Sequence, residues 1–192
     1  MAIYTRKLYV EVLGTAESQQ QENLMSFEVS RGTSIIWGEA GASGVTHTLS
    51  VDGLANGSAR MGVYADLGAS HAEEYEVYLV VETGTSPTAG NTADLYLVAS
   101  NDTSNWPAKV TGADAAYTLG TADANLKQAS IVTSLVATAD ANTVQRQAPV
   151  IWRPRGRYVT PIIDNNLGQA FRDETTATDN GTRIILIPRN IA

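Results

Sequence analysis

The chain has 192 residues, 20 carboxylates against 13 Lys and Arg, a formal net charge of −7 and no cysteine. At roughly 100–200 residues per domain it reads as a single β-sandwich domain over 1–192, large enough to bury about 70% of its unfolded surface without metal or disulfide staples. The missing cysteines exclude a thiol nucleophile and thiolate-held zinc or iron–sulfur centres, and a charged fraction of 17% implies a surface rich in neutral Thr, Ser, Ala, Asn and Gly.

The opening stretch, MAIYTRKLYVEVLG, has no apolar h-region, and no apolar run approaches the ~18 residues of a membrane helix. The expectation is a protein made in a cytoplasm, with no membrane partner. Tyr4, Arg6 and Lys7 form either an exposed arm or a first strand, and residues 14–24 are polar and exposed.

Val, Ile and Thr supply 48 residues, a quarter of the chain, and favour a pleated, half-buried surface. Alternation with period two recurs in chain order: Phe27 and Val29; Val45, His47, Leu49 and Val51; Met61, Val63, Ala65 and Leu67. It continues through Tyr75, Val77, Leu79 and Val81, which face away from Glu74, Glu76 and Glu82, then Leu95 and Leu97, then Ile131, Leu135 and Ala137. One apolar and one polar parity is the mark of antiparallel sheet with one wet face.

Residues 100–125 form one long irregular loop, with Val110, Tyr117 and Leu119 as anchors and Trp106-Pro107 as a contact feature. Residues 157–163 read as a strand that Pro161 confines to an edge or a bulge. Residues 183–188 are apolar on both parities, as in a strand covered on both faces, and Asn180-Gly181 before them signals a two-residue hairpin. Leu167 and Phe171 anchor the polar connection between these strands. The fold class is therefore all-β: an antiparallel β-sandwich, jelly-roll-like, with about ten short strands.

No nucleophile elbow, dinucleotide loop, phosphate loop or HExxH is present. Of the two histidines, His47 lies on an apolar parity and reads as a hydrogen-bonded core residue, while His71 sits beside Glu73 and Glu74 in a compact, weak ligand set. Asp164-Asn165-Asn166 and Asp179-Asn180-Gly181 lack the calcium-loop pattern and read as turns. Three glycan-acceptor triplets, at Asn56, Asn101 and Asn180, are likewise turn chemistry. No catalytic, metal or cofactor site is expected.

Residues 1–145 carry 6 basic and 16 acidic groups, residues 146–192 carry 7 arginines and 4 acids. The sharpest local feature lies in the basic part: Trp152, Arg153, Pro154, Arg155, Gly156, Arg157 and Tyr158. If extended, Arg153, Arg155 and Arg157 project to one side about 7 Å apart. Two readings stand. The arginines dock carboxylates of another subunit, bracketed by Trp152 and Tyr158 and with Trp106 of the long loop as a further interface residue, or they pair with acids of their own domain. The overall acidity argues against nucleic acid.

The run RYVTPIIDNNLGQAFRDETTATDNGTRIILIPR and the neutral Thr/Ala/Asn loops before it resemble the head decoration (cement) proteins of tailed bacteriophages. That resemblance implies a non-enzymatic virion protein on the capsid surface, made in the host cytoplasm. It also implies a homo-oligomer, trimer or dimer, that clamps adjoining copies of the major capsid protein. A glycan-binding module of a phage head or tail fibre is the alternative, with Trp37 and Trp106 as the sugar platform.

Overall fold

The computed structural model describes residues 29–118 and 128–191; the arm, the 14–24 stretch, Phe27 and Leu119 lie outside them. Two sheets pack face to face as a sandwich, as expected. In the first, β6 (Glu74–Glu82) pairs with β13 (Arg183–Ile191), which continues to β2 (Ile35–Gly38) and β3 (His47–Thr48). β10 (Val144–Arg146) and β11 (Val150–Trp152) lie along the far side of β6, and β1 (Val29–Arg31) pairs with β13. The second sheet runs β8 (Ala115–Tyr117), β4 (Ser58–Met61), β12 (Tyr158–Asn166), β7 (Thr92–Ser100) and β9 (Ser130–Val136), with β5 (Ala65–Asp66) also on β12. Every strand pair is antiparallel except β2 with β3. These strand orders establish the sandwich and leave the jelly-roll winding open.

The apolar parities form the core. Tyr75, Val77, Leu79 and Val81 of β6 and Ile184 and Leu186 of β13 face Leu95 and Leu97 of β7, Val159 and Ile163 of β12 and Leu135 of β9. Leu167 and Phe171 close one end of this core as the sequence suggested. Each such side chain contributes about 1.5–3 kcal/mol on full burial.

Several expectations are corrected. The Val45–Val51 alternation yields only the two residues of β3, because the Val51 and Asp52 N–H groups donate to Glu39 Oε1 instead of to a ladder. Glu82 is buried, not on a wet face. Ile131 is 61% exposed although Leu135 and Ala137 are buried, because a register shift between Leu95 and Tyr96 skips Val132 and turns Ile131 outward with Tyr96. β12 is central rather than an edge. The Gly62 N–H donates to the Pro161 carbonyl, so the missing proline donor faces the break between β4 and β5 on that same side. On β13, Ile185 and Ile187 are only half-buried, since no further layer of described residues covers that face. Asn180-Gly181 makes no hairpin, because β12 and β13 belong to different sheets.

The segment read as one long loop is partly ordered structure. It contains β8 and a 3₁₀ turn at Pro107–Lys109. Val110, Ala108 and Tyr117 pack with Trp106 on the outer face of the second sheet, against Ala59, Met61, Val98 and Ile162. The Tyr117 hydroxyl donates to the Ala108 carbonyl, and Gly112, at φ +71, brings the chain under the Trp106 ring. The segment is thus a third layer over one sheet.

Candidate functional site

Residues 153–157 are not a strand; they bend as the chain crosses from β11 in one sheet to β12 in the other. Gly156 is required there, since a Cβ would lie 2.7 Å from the Ser100 backbone at the end of β7. The three guanidiniums are consequently not an aligned strip. Arg153 donates from Nε and Nη2 to Glu74 Oε1 at 3.0 and 2.6 Å. Glu74 also lies 3.5 Å from Arg189, its directly opposite neighbour on β13. Arg157 grips Asp66 with both prongs, Nε to Oδ1 at 2.7 Å and Nη2 to Oδ2 at 2.6 Å. The Arg157 guanidinium, helped by the Gly68 N–H, pulls the Asp66 carboxyl down to about 2. Arg155 is exposed and has no hydrogen bond or ion pair among the described residues.

The three aromatic candidates separate. Trp152 is buried in the core with its ring 6.2 Å from Tyr75. Trp106 and Tyr158 are half-buried and meet through a residue that no spacing rule singled out, Tyr64. Its ring centre lies 5.9 Å from Trp106 and 5.7 Å, edge-on, from Tyr158. Arg157 sits 5.1 Å over the Tyr158 ring, so Trp106, Tyr64, Tyr158, Arg157 and Asp66 form one continuous row. Trp37, the other proposed sugar platform, is fully buried and donates its indole N–H to the Val63 carbonyl.

Both histidines border one groove of about 430 Å³, with Ser34, Thr46, Asp66 and Ser70 on its walls. His47 is half-buried, its ring 5.6 Å from Trp37, and burial pushes its pKa down. The Thr46 hydroxyl donates to the Ile36 carbonyl and accepts from the Ile36 N–H. Its contact with His47 Nδ1 at 2.9 Å therefore takes the proton from the ring, and His71 Nδ1 likewise donates to the Ala72 carbonyl. In the neutral form of either ring these bonds leave the lone pair on Nε2. No group of three or more His, Cys, Asp or Glu among the described residues is placed to hold a metal ion. The two rejected calcium candidates are ties within the fold: Asn165 Nδ2 donates to the Leu54 and Gln169 carbonyls, and Asn180 Nδ2 to Asp52 and the Arg172 carbonyl.

One side of the sandwich differs from the rest. The large exposed apolar side chains among the described residues are Ile131 (61%), Val136 (58%), Val144 (56%) and Ile151 (48%). The first two belong to β9, an outer strand of the second sheet, the others to β10 and β11 on the outer side of β6. The sequence could not mark Ile131, since the bulge that exposes it has no residue signature.

No helix among the described residues is long and apolar enough to cross a membrane. No family model matches the chain, and no curated protein matches it.

Proposed function

We propose that the chain is a non-enzymatic structural protein of a virion, a decoration or cement protein that sits on a tailed-phage capsid and stabilises neighbouring major capsid subunits by covering surface on both. The observation that carries this reading is the concentration of exposed Ile131, Val136, Val144 and Ile151 on β9, β10 and β11. They form two outward pairs, Ile131 with Val136 on one sheet and Val144 with Ile151 on the other, and apolar residues on outer strands with unpaired backbone fit association. The histidines, Asp66 of the groove and two of the three candidate arginines are engaged in hydrogen bonds within the chain, which suits a protein that transforms no substrate. A ligand specific for the assembled shell raises the cost of taking it apart without any chemistry. The jelly-roll winding belongs to this reading.

The test is the protein's copy number in purified particles relative to the major shell protein; absence from particles refutes it. Arg155, unpaired within the described residues, supplies a sharper probe. Arg155→Glu is expected to weaken particle binding and leave thermal unfolding of the free protein unchanged, and an equal loss of both would remove Arg155 from the interface.

A second reading, a glycan-binding module, draws on the half-buried row of Trp106, Tyr64 and Tyr158. It predicts that sugars quench tryptophan fluorescence and that Trp106→Ala abolishes the response; silence across a glycan array leaves the cement reading standing.

A further inference from the structure

The edges of the two sheets are defended unequally. β3 and β8 are two and three residues long, too short to template another strand. On the other side the edge made by β10 and β11 is broken between Arg146 and Val150, holds Pro149, which cannot donate to a ladder, and carries exposed Arg146. β9 has none of these protections except its bulge. It is seven residues long and, among the described residues, pairs on one side only, with β7. From Gln128 to Ala139 the sequence has no charged residue, no proline and no glycine. Such an edge, with two exposed apolar side chains, is one that folded proteins ordinarily blunt or cover.

We infer that β9 is covered by β9 of a second copy of this chain, paired antiparallel about a two-fold axis so that the second sheets of the two copies join. The inference deepens the proposed reading, because it names the partner of the same apolar side. Charge selects the occupant. Each copy carries −7, so most faces repel a second copy, whereas β9 brings no charge to the contact. A partner recognised by charge would find nothing on this strand to recognise. Symmetry agrees: with Val132 taken up by the bulge, Ile131 and Val136 lie opposite Tyr96 and Thr92, two ladder steps either side of Ser134 opposite Asp94. An axis through Ser134 sets Ile131 of each copy opposite Val136 of the other on the outer face of the joined sheet, covering both exposed side chains twice. An isologous contact of this kind closes at two copies.

Sedimentation of the full chain without particles is expected to give a concentration-dependent dimer. Ile131→Lys/Val136→Lys is expected to weaken it by about a hundredfold, since each lysine brings an unpaired charge into the contact. If that variant does not fold, Ile131→Cys/Val136→Cys decides. In this otherwise cysteine-free chain the two thiols of one copy lie about 14 Å apart, four ladder steps along the strand, so they cannot bridge each other. Across the axis they are expected to form a disulfide-linked dimer under mild oxidation. A monomer at every concentration, a dimer indifferent to the lysines, or no disulfide-linked dimer overturns the inference. So does a truncation of residues 1–28 that creates the dimer, because the edge then belongs to the chain's own amino-terminal segment. A dimer of a protein that is absent from particles would sustain the pairing and sink the cement reading alone.

Discussion

Two of the connections that carry the chain between the sheets use arginine–carboxylate pairs, yet they are built differently. The connection from β12 to β13 runs through a buried polar hub. Glu82, inside the sandwich, accepts from the Gly181 N–H and from Arg172, while the Glu82 N–H donates to the Thr182 hydroxyl. Asn180, fully buried, donates to Asp52 and to the Arg172 carbonyl and accepts from the Thr182 N–H. The connection from β11 to β12 lies on the surface, where Arg157 and Asp66 leave 43% and 40% of their side chains in water. The same charge pair is a structural tie where the carboxylate is buried and bonded to backbone, as at Glu82, and a weak, screened contact where both groups are wet. The arginines that look most conspicuous in the sequence therefore have less to do with stability than an asparagine that looks like a turn.

Three measurements can break or sharpen that contrast. The largest effect is expected from Asn180→Ala, which strands buried groups on three neighbours; we expect a loss of about 2–4 kcal/mol in denaturant unfolding. A loss no greater than that of a surface alanine substitution would dissolve the distinction. Gly156→Ala comes next, at about 1–3 kcal/mol, because the added methyl meets fixed Ser100 backbone. That cost would place the tight point of the outer connection in its backbone and not in its charges. The smallest effect is expected from Arg157→Ala. Free of its partner, Asp66 should titrate above about 2 but still below its usual 3.8, because the Gly68 N–H continues to donate to it, followed by carboxyl NMR. The sign follows from a depressed folded-state value: the pair's contribution is present above pH 3.8 and is lost as pH falls towards 2. Because both groups are solvated, thermal stability at neutral pH should barely move.

How much of this was legible depended on how local each cause is. β6 could be read directly because its alternation runs unbroken from Tyr75 to Val81, and Leu167 and Phe171 stood out as apolar residues in a polar stretch. The central place of β12 was hidden, since Pro161 is tolerated only because its neighbour is split into β4 and β5. The partners of Arg153 and Arg157 lie 79 and 91 residues away and leave no local trace. At the candidate site, Tyr64 joins Trp106 to Tyr158 purely through tertiary placement. The outer layer of 106–117 was seen only as a length of chain, because its few anchors serve the outside of a sheet whose polar parity was expected to be wet.

The seclusion of Asn180 bears on how the protein can be produced. Asn180-Gly181-Thr182 is an acceptor triplet whose amide is inaccessible once folding is complete. An oligosaccharide transferred to the emerging polypeptide in a eukaryotic secretory pathway would occupy that amide first and hold the connection open. Material secreted from such cells should arrive misfolded, whereas bacterial expression, which lacks that modification, should not.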